Sequence, residues 1–325
     1  MPGFTTHYIF GMKAYNDMPF TPLKHTIAKY RWLYQLGLQG PDIFFYNVPI
    51  LRHRDYRNVG SHMHEHKVNA FFECCLRRIG TIRSRQQQEE AISYLAGFMN
   101  HYIADSICHP YVYGRIGYPV DAPTSMHHGM HAHLENELDA ILLWKYKKKK
   151  PSEFNQTATI CLNGQEIQFI SHFLASCINE TYYPITYRNN FQVTPAMVHR
   201  SIWALRFGCR TLSDKNGKKK FGIAQVESIF VNHPVASAKM VTDSVTDYRS
   251  SCNLNHEAWS NPWDPTRVST ASFVDLFHET LDKCSRVYAL LNSAVTDNMP
   301  LDKQDLSPLL TELGNESYHS GLPVD

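Results

Sequence analysis

The chain has 325 residues, 43% of them hydrophobic and 19% charged, with a formal charge of +2. At ~100–200 residues per domain this allows one large domain or two modest ones with a sizeable core. The near-neutral balance gives no reason to expect nucleic acid or an acidic surface as partner. No run of ~18 apolar residues occurs, so no transmembrane helix is expected. The start, MPGFTTHYIFGMKAY, lacks the basic, apolar and small-residue regions of a secretory signal. The eight cysteines show no CxxC spacing and read as reduced, mostly buried thiols. A cytoplasmic location is the expectation.

Taken in chain order, helical periodicity is first evident over residues 22–35, with Thr21 as cap before a proline and Gly37 as stop. A second helix is predicted over 67–78, ending at Gly80. The clearest runs from Ser84 to about Pro110, where Ser84 and Gln87 suggest a capping box and Ile92, Leu95, Ala96 and Met99 form an apolar stripe. A fourth spans 127–147 and closes in lysines that suit a helix carboxyl end. Further helices are predicted over 166–182, 195–212, 225–231 and 272–293. Strand-like alternation is limited to 157–162, with a hairpin turn expected at Asn163-Gly164. Charged, turn-rich breaks lie at 147–155 and 214–220. The expected architecture is all-α, with a metal-bearing half over 1–150 and a carboxyl half over 151–325 packed on it as one domain.

Of 18 histidines, 12 fall between His7 and His133, where an even spread would place about seven. Histidine is the commonest metal ligand, so candidate chemistry concentrates there. In His101-Tyr-Ile-Ala-Asp105-Ser-Ile-Cys-His109-Pro110 the polar residues stand at i, i+4 and i+8. Each step advances only ~40° around a helix, so the three share a face. Imidazole, carboxylate and imidazole suit zinc, iron or manganese. Pro110 is expected to kink or end the helix and turn His109 towards a different metal. The bland alternative is a pair of polar core histidines held by an aspartate.

His131-Ala-His133-Leu-Glu135-Asn-Glu137-Leu-Asp139 repeats the spacing. His131 with Glu135 and His133 with Glu137 are equivalent by spacing, and such pairs also occur on solvated helix faces. Gly40-Pro41-Asp42-Ile-Phe44-Phe45-Tyr46 begins with a turn signal that would hold Asp42 at a loop mouth, or simply cap a helix. Of His62, His64 and His66, one or two are candidate ligands. His7 opens an apolar run and alone reads as a core histidine.

Together these pieces resemble the zinc-dependent phospholipase C family, which shares its helical fold with single-strand nucleases. The order His7, Asp42, His64, His101, Asp105, His109, His131, Glu135 meets that family's pattern, most specifically in YLAGFMNHYIADSICHP and HAHLENELD. The resemblance covers about residues 1–145, with Asn253-Leu-Asn255-His256 and Trp259-Ser-Asn-Pro262 as a candidate tail motif. It implies a helical bundle with additional carboxyl-terminal helices and up to three zinc ions. One would be held by Asp42, His64, His101 and Asp105, and a second by His109, His131 and Glu135. The third would use His7 with Asp105 as bridge. The same resemblance favours His131 and Glu135 over His133 and Glu137. Secreted members complete the third site with an amino-terminal tryptophan. This chain begins Met1-Pro2 without one, so the Pro2 amine is the candidate substitute and two ions the alternative occupancy.

The implied activity is phosphate-ester hydrolysis of the phospholipase C type by metal-activated water, with Asp42 orienting or deprotonating the water. The expected partner is a phosphate ester, with phospholipid as one candidate. Phe44, Phe45 and Tyr46 would line a lipid or base pocket, or belong to the core. The run Lys145-Tyr-Lys-Lys-Lys-Lys150 would meet an anionic membrane, or be a solvated helix end. A non-catalytic zinc-binding protein and a nuclease-like phosphodiesterase are the rival readings. A carboxyl half that binds a partner or dimerises through His256 and Trp259 is another.

Overall fold

A computed structural model describes residues 3–46, 58–187, 190–212, 214, 216–230, 237, 240–243, 245 and 247–325. Its helices are α1 (Phe4–Asp17), α2 (Pro22–Lys29), α3 (Arg31–Gly37), α4 (Val59–Glu65), α5 (Val68–Thr81), α6 (Arg85–Arg115) and α7 (Ser125–Lys147). There follow α8 (Gly164–Tyr182), α9 (Pro195–Thr211), α10 (Lys218–Phe230), α11 (Tyr248–Ser251), α12 (Phe273–Thr296) and α13 (Ser307–Leu313). A 3₁₀ helix covers Gly40–Tyr46. The sheet among the described residues is one antiparallel hairpin, β1 (Trp259–Asn261) with β2 (Asp264–Ser269). The chain is all-α in class.

Helix α6 is the axis of the molecule. It is buried along most of its length from Glu90 to Val112 because other helices cover it on several sides. Gly37 of α3 and Gly97 of α6 permit the closest crossing: a Cβ on either would run into the other helix's backbone. One core gathers Leu33, Leu36, Phe71, Phe72, Leu95, Phe98, Ile178, Val287 and Leu291. A second, around Ile9, Phe10, Ala104, Cys108, Leu138, Leu142, Phe273 and Phe277, fastens α1, α7 and the first turns of α12 to the distal half of α6. At about 1.5–3 kcal/mol for each large apolar side chain removed from water, these clusters hold the polar centre between them in place.

Local chemistry departs from the sequence expectation at several points. The segment over 22–35 is two helices, because Tyr30 leaves helical geometry (φ −114°, ψ 42°) and its carbonyl accepts Ser93 Oγ–H from α6. Asn163-Gly164 makes no hairpin. Asn163 accepts the Glu166 amide at 2.9 Å while Glu166 accepts the Asn163 amide at 2.8 Å, a reciprocal cap that starts α8. The stretch expected as a strand contains a 3₁₀ turn, Gln156–Thr159. Pro110 does not end α6, which continues to Arg115. An interior proline costs about 3 kcal/mol, and burial of Tyr111 and Val112 beyond it opposes that cost. Tyr111 Oη–H also donates to Ser251 O at 2.7 Å.

The Asn253–Pro262 tail motif is structural. Asn253 (φ 52°) donates from Nδ2 to Glu257 O, and Trp259 is buried against Tyr111 with its indole N–H on Ala271 O. Trp259 therefore offers no exposed docking patch. Among the described residues no helix is long and apolar enough to cross a membrane. All eight cysteines are unpaired.

Candidate metal centre

Four elements converge beside α6. The 3₁₀ turn after α3 supplies Asp42, α4 supplies His64, α1 supplies His7, and α7 supplies His131 and Glu135. Asp42 does not sit at a loop mouth as expected but is buried within the turn. Gly40 sets that turn: at φ 47° it adopts the left-handed region, and a Cβ there would overlap the His101 imidazole. Asp139, buried on α7, accepts the amides of Thr5 at 3.1 Å and Thr6 at 2.7 Å, docking the first turn of α1 and with it His7.

The ligand-type atoms of Asp42, His64, His101 and Asp105 form one group, and those of His109, His131 and Glu135 form a second. His64 Nε2 lies 3.2 Å from Asp42 Oδ1 and 3.7 Å from Asp105 Oδ2. His101 Nε2 lies 3.2 Å from Asp105 Oδ2 and 3.8 Å from Asp42 Oδ1. In the second group His131 Nε2 is 2.6 Å and His109 Nε2 3.7 Å from Glu135 Oε1. Asp105 links the groups, its Oδ1 standing 3.1 Å from His7 Nε2 and 3.7 Å from His109 Nδ1. His7 belongs to neither group but stacks on His101 with ring centroids 4.0 Å apart. Met1 and Pro2 lie outside the described residues.

The donor set fits a cation. His64 Nδ1–H donates to Gly60 O at 2.7 Å, His101 Nδ1–H to Leu38 O at 3.1 Å, and His109 Nδ1–H to Tyr318 O at 2.6 Å. A carbonyl only accepts, so each Nδ1 carries the hydrogen and each neutral ring turns an Nε2 lone pair inward. Those Nε2 atoms, with Asp42 Oδ1 and both Asp105 oxygens, are buried without a hydrogen-bond partner. Such a cluster of acceptors facing acceptors is stable only around a positive charge. Ligand atoms about 2.1 Å from one ion at tetrahedral angles stand about 3.4 Å apart. The separations of 3.2 to 3.8 Å in the first group bracket that value.

The electrostatics of the bare chain agree. Burial opposes protonation of His64, but the carboxylates of Asp105 and Asp42 beside its Nε2 outweigh it and raise its pKa to about 9, so a proton occupies the cation's place. Burial would raise Asp105, yet the imidazoles of His109, His101 and His7 hold it well below the usual carboxylate range. Burial depresses His109 and His131 and raises Glu135. Burial thus favours the neutral forms of His131 and Glu135, whose Nε2 and Oε1 stand 2.6 Å apart.

A family model for zinc-dependent phospholipase C matches residues 6–186. The chain belongs to the zinc-dependent phospholipase C family. Searches of curated proteins and of solved structures returned no match. Among the histidines of this family member, His62 packs against His66, Tyr182 and Tyr183, and of the three alternating histidines only His64 joins a group. His133 is half-exposed and 3.6 Å from Glu137, whose carboxylate accepts Ser251 Oγ–H instead. Phe44 is core, and Phe45 lies 5.3 Å from the His64 ring.

Several contributors were missed from sequence, and Trp263, Tyr318 and His319 among them lie beyond the family match. Tyr318 N–H donates to His64 O at 2.9 Å while its carbonyl orients His109. His319 stacks on His64 at 4.9 Å and places Nδ1 3.6 Å from Glu65. Tyr113 packs 4.5 Å from His131, with Trp263 and Tyr118 continuing the aromatic wall at 4.9 and 4.7 Å from Tyr113. Only the clustering of aromatics near the histidines could have flagged Tyr113 and Tyr118. Nothing local in the sequence marks Tyr318.

Proposed function

We propose that this protein is a zinc-dependent phosphoric ester hydrolase that cleaves phosphodiesters in the manner of a phospholipase C. The carrying observation is the contrast between the two groups. The first has four ligand-type residues, with side-chain exposure of 5% at Asp42 and none at His64, His101 or Asp105. The second has three among the described residues, and His131 and Glu135 are each 12% exposed. Four buried ligands suit a closed ion, and three ligands on an accessible side suit one that keeps a position for substrate. This contrast supports catalysis over a purely structural role for the metal.

In this reading Asp42, His64, His101 and Asp105 hold one zinc, and His109, His131 and Glu135 a second. A third would border His7 and Asp105, so two or three ions are proposed. Bound zinc supplies Lewis-acid charge to the phosphoryl oxygens and makes water acidic enough to react near neutral pH. Asp105 reaches both groups, so the first ion would hold Asp105 and Asp42 in position while the second would take the phosphate. Asp42, the one carboxylate of the first group with residual exposure, orients the attacking water and takes its proton. Tyr113, Tyr118 and Trp263 wall the accessible side and exclude bulk water. The unpaired thiols are consistent with the cytoplasmic location proposed here.

The same aromatic wall favours one second reading, a nuclease-like phosphodiesterase whose base stacks on Tyr118 or Trp263. Both readings are tested by stripping the protein with a chelator and titrating zinc back against a chromogenic phosphodiester, phosphatidylcholine and single-stranded oligonucleotide. Zinc-restored cleavage of the lipid but not the oligonucleotide supports the phospholipase reading, and the reverse supports the nuclease reading. Full zinc rebinding with no cleavage of any substrate would leave the metal a structural role.

A further inference from the structure

The lysine run at the carboxyl end of α7 borders a cavity of about 500 Å³ that the metal centre does not use. Its walls include Ala140, Ile141, Trp144, Val245 and Tyr248, with Lys145, Lys148, Lys149 and Lys150 around it. Trp144 is 56% and Tyr248 44% exposed, large apolar groups that a globular surface usually covers. Lys148 adopts the left-handed conformation (φ 55°) with its amide on Trp144 O. The chain therefore leaves the helix there and carries Lys149 and Lys150 along the cavity. The acid in this wall, Asp243, is engaged by the Ser152 amide at 2.8 Å and hydroxyl at 2.7 Å.

We infer that this face docks the protein on an anionic lipid bilayer, with Trp144 and Tyr248 entering the headgroup boundary and the lysines meeting lipid phosphates. Charge complementarity selects the partner: four cations surround an apolar recess whose one acid already has partners. Indole and phenol rings suit the boundary between hydrocarbon and water. Basic residues next to inserted aromatics are the pattern by which proteins lie on such membranes. A single-stranded nucleic acid would also meet lysines and aromatics, but it needs flat platforms in series, whereas here aliphatic Ala140, Ile141 and Val245 line a recess that accepts hydrocarbon. The inference is independent of the hydrolase reading, because it concerns binding through residues outside both metal groups.

The test is co-sedimentation of the full-length, zinc-loaded protein with vesicles of phosphatidylcholine alone and of phosphatidylcholine mixed with phosphatidylserine. Binding is expected to the mixed vesicles only and to weaken as salt rises. The triple variant Lys148→Glu, Lys149→Glu, Lys150→Glu is expected to bind about 100-fold more weakly, at roughly fivefold per lysine. Trp144→Ala is expected to weaken binding with its lysines intact. Zinc content and helical circular dichroism, read on each variant, should match the wild type, which separates lost docking from lost folding. Absence of binding to the mixed vesicles would overturn the inference. So would equal binding by the well-folded triple variant, or binding of single-stranded RNA through these lysines with no binding to vesicles.

Discussion

The carbonyl oxygen of Tyr318, near the end of the chain, accepts the Nδ1 hydrogen of His109 at 2.6 Å. The amide of the same residue donates to His64 O at 2.9 Å, so one residue fixes the backbone of His64 and the imidazole of His109. Glu316 reinforces the strap, since its carboxylate accepts Tyr102 Oη–H at 2.7 Å and its amide donates back to that hydroxyl at 2.9 Å. Partners that orient metal-binding imidazoles typically contribute 10–100-fold in metal affinity. A chain ending at residue 314 should therefore bind zinc at the His109 group about 10–100-fold less tightly, read by competition with a chromogenic chelator. Unchanged affinity would show that α6 alone orients His109.

Gly40→Ala should destabilise the protein. The substitution forces a side chain into left-handed backbone and against the His101 imidazole. A strained backbone position of this kind costs about 1–3 kcal/mol, and displacement of His101 adds loss of zinc. Denaturant unfolding and metal analysis of the variant read the two effects separately.

Zinc binding should release protons. The folded pKa of His64 is raised to about 9 from an ordinary 6.5. In the metal-free protein its contribution to stability is full below pH 6.5 and disappears as pH rises through 9. Between those limits a cation entering the first group displaces the His64 proton, while in the second burial favours the protonated form of Glu135. Calorimetry at pH 7.5 in buffers of different ionisation enthalpy should show about one proton leaving as the first group fills. Binding without proton release would mean that His64 and Glu135 are already in their ligand forms.

The two registers on α7 separate cleanly. Glu135→Gln removes a carboxylate facing His131 and His109, and should lower zinc affinity and hydrolysis together. His133→Ala changes a half-exposed side chain and should alter stability by no more than about 0.5 kcal/mol. Glu137→Gln perturbs the buried bond to Ser251 and should cost about 1–3 kcal/mol with zinc retained. Zinc content and unfolding curves of the three variants provide the check.

The long helix through His101, Asp105 and His109 was legible because an amphipathic repeat, an N-cap and a ligand spacing coincide in one segment. The Thr21 and Ser84 caps were legible for the same local reason. Asn163-Gly164 misled because the dipeptide suits a hairpin as well as a cap, and Glu166 decides between them. Pro110 does not end α6, because tertiary burial of Tyr111 and Val112 overrides a local penalty, but His109 does fall in a different group from His101. The hairpin β1–β2 and the strap around Tyr318 carry little periodicity, and the strap acts largely through backbone groups that any residue possesses. The spacing on α7 left its register open, and the register proposed here follows from the seating of His109 beside Glu135.

Two metal groups joined by Asp105 are proposed to perform phosphodiester hydrolysis. Elemental analysis of purified wild type and Asp105→Ala, paired with hydrolysis of a chromogenic phosphodiester, tests it most directly. Two or three zinc ions per wild-type chain are expected, with metal and activity lost together in the folded variant. Wild-type protein that binds no metal, or an Asp105→Ala variant that keeps full zinc and full hydrolysis, would contradict it.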